Sequence, residues 1–145
     1  MAGNGDTTPP KGTLTIEARL GAASVSPADV AHRTRVVERY IAALNRADLD
    51  AVVELFAADT LALDPLGTPP IRGRDALRDF FANGPFLHRI KAALDGPVRV
   101  AGNAAAFAFT AQSDGKVMHI IDVFDFDDQG KIEKMVAYWS SANTS

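Results

Sequence analysis

"KVMHIIDVFDF", Lys116 to Phe126, is the stretch that decides the fold. Successive residues of a strand point to opposite faces, so Met118, Ile120, Asp122, Phe124 and Phe126 share one face. His119, Ile121, Val123 and Asp125 take the other. Asp122 is the single charge on an otherwise apolar face. An ionised carboxylate buried there costs several kcal/mol or more unless it pairs, so Asp122 is expected to find a partner or to stay protonated. A carboxylic acid held neutral at pH 7 donates a hydrogen bond, which suits a developing oxyanion. The same residue also fits a buried acid satisfied by backbone groups.

Outward from this strand, "DGP", "SDGK" and "DDQG" are turn signals that separate further strands at about Leu87–Leu94, Val98–Val100, Ala104–Gln112 and Ile132–Trp139. Upstream the period changes. Ser26-Pro27-Ala28-Asp29 has the form of a capping box, and Val30, Val37, Tyr40, Ile41 and Leu44 recur at helical spacing, predicting a helix from about Pro27 to Asn45. Asp48 caps a second helix through "LDAVVELFA", and "GRDALRDFFANG" is a third, stopped by Gly84 and Pro85. Helices followed by a run of strands predict an α+β domain, three N-terminal helices lying on the concave face of a curved antiparallel or mixed sheet, cone-shaped, with a pocket between the layers.

The chain has 145 residues, enough for one domain with a sizeable core. Its 15 Lys and Arg against 18 Asp and Glu are scattered, which argues against a nucleic-acid surface. The absence of cysteine excludes disulfides and thiolate zinc sites, no metal-ligand spacing occurs, and no apolar run reaches the length of a membrane span. The start, "MAGNGDTTPPKG", lacks the charged and apolar segments of a secretory signal, so a cytoplasmic protein is expected. Residues 1–26 are expected to form a flexible extension and 27–145 the domain; "TLTIEARL" within the extension alternates weakly and would otherwise add a strand.

Two further residues stand out. Tyr40 lies on the apolar stripe of the first helix, so its hydroxyl points inward and needs a partner. In "TLALDPLGTPPIRGR", Thr60 to Arg74, an apolar strand ends on Asp64 with Pro65 behind it. The proline holds Asp64 in extended geometry and fixes the direction of its carboxylate; an Asp-Pro turn without catalytic meaning reads the same way.

Taken together, "RYIAALNRADLDAVVELFAADTLALDPLGTPPIRGR", "LDGPVRV", "IIDVFDF" and "KIEKMVAYWSSAN" resemble the bacterial ketosteroid isomerases, over about Arg39 to Asn143. The resemblance implies the cone-shaped fold of nuclear transport factor 2, a homodimer, and isomerisation of 3-oxo-Δ5-steroids to Δ4 isomers without a cofactor. It implies that Asp64 is the general base and that Tyr40 and Asp122 form the oxyanion hole. This family is itself the established example of a carboxylic acid kept neutral to donate a hydrogen bond. The substrate would lie against Trp139, Ala137 and Met135 of the last strand, with Phe56, Phe81 and Phe86 nearby.

The sequence also departs from that pattern. Phe56 and Phe81 stand where the family often has tyrosines supporting the oxyanion-hole tyrosine, which predicts a slower isomerase. "NGPFLHR" differs from the family's glycine-rich loop. A dehydratase would need a histidine facing the pocket, for which His88 is the candidate. An epoxide hydrolase would need an Asp-Arg-Asp water clamp, whereas Arg72 and Arg74 read as surface residues. A binding module without catalysis is the remaining alternative.

Overall fold

The computed structural model describes residues 12–145. Of the extension expected at 1–26, residues 1–11 lie outside the described residues. Instead of a strand, Ile16–Ala22 forms a short helix, α1, because Thr15 caps it by accepting from the Ala18 amide. None of its residues is buried, and Ile16 and Leu20 are both exposed.

The domain proper begins at α2 (Pro27–Arg46). The Ser26 hydroxyl accepts from the Asp29 amide at 3.1 Å, and Pro27 occupies the first turn. Val37, Tyr40, Ile41 and Leu44 form its buried stripe. The helix ends on Ala47 in the left-handed region, at φ 52°. Helix α3 (Leu49–Glu54), capped by Asp48, is shorter than the sequence predicts. The apolar "LFA" reads as one more helical turn, but Phe56 instead opens strand β1 (Phe56–Leu63), which pairs parallel with the last strand. Short β2 (Ile71–Arg72) folds back on β1, and α4 (Gly73–Asn83) follows.

The remaining strands are β3 (Lys91–Leu94), β4 (Arg99–Ala101), β5 (Ala104–Ser113), β6 (Lys116–Phe126) and β7 (Ile132–Tyr138). The strand expected from Leu87 starts only at Lys91. Residues before it are held in tight turns, with His88 N–H donating to the Gly84 carbonyl and Ile90 N–H to that of Pro85. The seven strands form one mixed sheet in the order β2-β1-β7-β6-β5-β3, β4 pairing with β5; only β1–β7 is parallel. The sheet curves without closing into a barrel, which gives the α+β architecture of nuclear transport factor 2. α2, α3 and α4 cover the concave face, as the pattern of helices and strands predicts.

The face assignment of β6 holds. Ile120, Asp122, Phe124 and Phe126 are buried, whereas His119 and Ile121 are exposed. A core rich in phenylalanine packs between the helices and the sheet, and a cavity of about 410 Å³ lies beside it.

Candidate active site

Three elements deliver one polar side chain each to this cavity: Tyr40 from α2, Asp64 from the end of β1, and Asp122 from the middle of β6. Each arrives by a local rule. Tyr40 sits on the buried helical stripe, and Asp122 on the inward phase of its strand. Asp64 is aimed by the loop behind it, where the Leu66 amide donates to the Ala137 carbonyl at 2.8 Å and ties the β1 exit to β7. The Asp64-Pro65 peptide is cis.

The indole Nε1–H of Trp139 donates to Asp64 Oδ1 at 2.8 Å. Trp139 is thus more than an apolar wall: it occupies one carboxylate oxygen of Asp64, which lines the cavity. Burial pushes the Asp64 carboxyl up to about 6, with the Trp139 bond pulling it down. It is therefore mostly ionised at pH 7.

Asp122 is 1% exposed, and its Oδ1 has no hydrogen-bond partner. The backbone does not satisfy it, which removes the bland reading of this residue. Burial first, and the Asp64 charge second, hold its carboxyl well above the usual carboxylate range. Tyr40 adjoins it closely enough to favour the charged form somewhat, without an aligned hydrogen bond between the two. The Tyr40 hydroxyl donates instead to Met135 Sδ at 3.8 Å, a weak acceptor. Burial, then the carboxylates Asp122 and Asp64, push the Tyr40 phenol upward as well. The result is two buried groups, the Tyr40 phenol and the Asp122 carboxyl, that burial favours in their protonated forms and that have no good acceptor, beside the Asp64 carboxylate.

Of the six side chains expected to touch the substrate, Trp139 alone lines the cavity. Phe56, Phe81, Met135 and Ala137 are completely or almost completely buried behind it, and Phe86 packs on Phe81. Phe81, Phe107 and Phe124 surround the Tyr40 ring in edge-on contacts at 5.1 to 6.2 Å. These aromatics hold Tyr40 by packing, in place of the tyrosine hydroxyls that the family it resembles often has there. The walls that the substrate would meet are Phe80, Ile90, Phe109, Met118 and Ile120. Met118 and Ile120 were legible from the alternation that placed Asp122; Phe109 needed the register of β5 on β6, where it faces Ile120.

His88 lies at the rim of the cavity, its Nδ1 3.4 Å from Asp114 Oδ2, and does not reach the acids inside. Arg74, expected at the surface, is half-buried and donates to the Phe56 carbonyl. Neither it nor Arg72 lines the cavity, so among the described residues there is no Asp-Arg-Asp clamp. No group of three described His, Asp or Glu residues is placed to hold a metal ion, and no described helix is long and apolar enough to cross a membrane.

Comparison with known proteins agrees with this architecture. Residues 37–135 match the SnoaL-like domain. A steroid Delta-isomerase of Nocardioides simplex is 33% identical over 109 residues, covering 72% of this chain and 86% of that protein. The epoxide hydrolase LasB of Streptomyces lasalocidi is 33% identical over 126 residues, but the alignment spans only 43% of it. Among solved structures, the epoxide hydrolase/cyclase-like enzyme SalBIII of pyran ring formation in salinomycin superposes with a TM-score of 0.73 at 26% identity, over 79% of this chain and 95% of its own. These relatives are enzymes, an isomerase and two epoxide-processing proteins. With its fold, its curved mixed sheet and its sequence in agreement, the chain belongs to the SnoaL-like domain family, within the nuclear transport factor 2-like superfamily.

Proposed function

We propose that the protein is a steroid Δ-isomerase. The observation that carries this reading is the pairing of an ionised Asp64 with a buried, unpartnered Asp122 and the Tyr40 hydroxyl across one apolar cavity. Asp64 takes a proton from carbon 4 of a 3-oxo-Δ5-steroid, between the ketone and the double bond. The C–H electron pair moves into the ring as a dienolate, and charge collects on the 3-oxygen. Tyr40 and Asp122 donate to that oxygen more strongly as its charge grows, so they favour the transition state over the ground state. Asp64 then delivers the same proton to carbon 6, leaving the conjugated Δ4 ketone. No cofactor takes part, and the base is regenerated.

The test is the absorbance of the conjugated enone when the protein meets 5-androstene-3,17-dione. Turnover should rise as pH increases, with a midpoint near 6 as Asp64 ionises, and then level off. Trp139→Phe removes the bond that favours the ionised form, so its midpoint should lie above that of the parent. An unchanged midpoint would remove Trp139 from its positioning role, and no enone at any pH would refute the isomerase.

A second reading has its own support in the two epoxide-processing relatives. In a cyclase, Asp64 would take a proton from a substrate hydroxyl while Asp122 gives one to the epoxide oxygen. Ring closure of a hydroxy-epoxide, in place of enone formation, would favour it.

We also propose a homodimer joined through the outer sheet face. Ile121 and Tyr138 are 50% and 47% exposed there, paired in register across β6 and β7. Sedimentation should give a dimer that Ile121→Asp converts to a monomer; a monomeric parent protein would refute the interface.

A further inference from the structure

The cavity changes character from one end to the other. Its floor is the inward phase of the β5–β6 hairpin, where Phe107 faces Asp122, Phe109 faces Ile120, Ala111 faces Met118, and Ser113 faces Lys116. The acid thus lies at the deep end, two apolar rungs follow, and the hairpin tip brings hydroxyl and ammonium groups. All of these except Phe107 line the same cavity.

From Asp122 to Lys116 is six residues, about 20 Å at the usual rise of an antiparallel strand. A four-ring steroid nucleus with its 3-oxygen at Asp122 is considerably shorter than that. It would cover the rungs of Ile120 and Met118 and end short of the tip. Lys116 lies beyond the reach of the rings alone, where a side chain extending from the far ring would arrive.

The ionisable side chains lining the mouth are Lys116, His88 and Asp114. Asp114 is engaged by His88 at 3.4 Å. Ser113 Oγ donates to the His88 carbonyl at 2.7 Å, which fixes the loop carrying that histidine against the hairpin. Lys116 has no carboxylate within ion-pair distance among the described residues. Thr144 closes the rim beside it, bridging to Met118.

We infer that Lys116 selects substrates whose far end carries a carboxylate, so that the cavity takes a fused-ring ketone with an acidic side chain. The inference rests on the isomerase reading for the orientation of the ring system. An ammonium is a donor with no acceptor capacity, so it favours a carboxylate over a neutral ester or ketone of the same length. Because the mouth is open to water, the gain is that of an exposed pair and is sensitive to salt.

The chain has a single tryptophan, and Trp139 lines this cavity, so its fluorescence reports occupancy directly. The probes are 3-oxochol-4-en-24-oic acid and its methyl ester, which share a skeleton and differ in the terminal charge. The acid should bind up to about fivefold more tightly than the ester, the upper end for an exposed pair, with the ratio shrinking as salt is added. Lys116→Met should bring the ratio to about one. Lys134→Met, which removes a charge from the exposed outer face, should leave the preference in place. Equal binding of acid and ester by the parent protein, a preference that survives Lys116→Met, or no quenching by either probe would overturn the inference. Enone formation from 5-androstene-3,17-dione separates the two readings. Turnover without acid preference removes Lys116 and keeps the isomerase; acid preference without turnover does the reverse.

Discussion

Asp64→Asn should lose enone formation by about 10²- to 10⁴-fold, the range over which a positioned general base acts, while steroid still quenches Trp139. Asparagine has nearly the shape of aspartate, and its Oδ1 can still accept from the Trp139 indole. The loop geometry therefore survives, and what disappears is the lone pair basic enough to take a carbon-bound proton. Retention of turnover within tenfold of the parent would show that another group moves the proton.

The same substitution should act on stability with a definite sign. The folded-state value of Asp64, about 6, lies above its ordinary 3.8, so the folded chain binds the proton more tightly than the unfolded chain. Stability contributed by this group is therefore greatest below about 4 and is lost as pH rises towards 6. The whole difference corresponds to about 3 kcal/mol. Asparagine does not ionise, so Asp64→Asn should raise Tm at pH 8 and change it little at pH 4. A lower Tm at pH 8 would mean that the ionised carboxylate is stabilising where it stands.

The parts of this protein that were legible in its sequence are those governed by local periodicity. The alternation of Lys116–Phe126 put Asp122 on the buried face, and helical spacing put Tyr40 on the inner stripe; both hold. What the sequence hid depends on partners distant in the chain. Phe56 looks helical until its parallel pairing with Ile132 is seen. Arg74 looks like a surface arginine until the Phe56 carbonyl appears within its reach. The hydrogen bond from Trp139 to Asp64 joins residues 75 apart, so no window of sequence contains it. The family resemblance sets Phe56 and Phe81 near the substrate, whereas burial puts them behind the cavity wall. Their missing hydroxyls leave Tyr40 in an aromatic cage with a thioether as its acceptor. In such a cage Tyr40 keeps its proton and its direction without a hydrogen-bond relay.

Asp122→Leu should make the protein more stable and a poorer catalyst at once. In the resting protein Asp122 is a buried polar group with an unpartnered oxygen, a costly arrangement that folding alone would not favour. Leucine removes that cost, and its extra volume has room because position 122 borders the cavity. The sign with pH follows as for Asp64. A folded-state value raised above the unfolded one makes the acid least costly at low pH and increasingly costly above about 4, so the gain in Tm should be larger at pH 8 than at pH 4. Turnover should move the other way, falling by about 10²- to 10³-fold, the usual consequence of losing one oxyanion donor. Asp122→Asn separates donor from charge: its Nδ2–H can still reach the 3-oxygen, so it should retain clearly more activity than leucine. If leucine instead lowers Tm, the carboxyl is a structural group that the fold needs. If leucine and asparagine are equally impaired, donation to the oxyanion is not what Asp122 contributes. A rise in stability bought with a fall in turnover, partly spared by asparagine, is the signature of a donor held in place for chemistry.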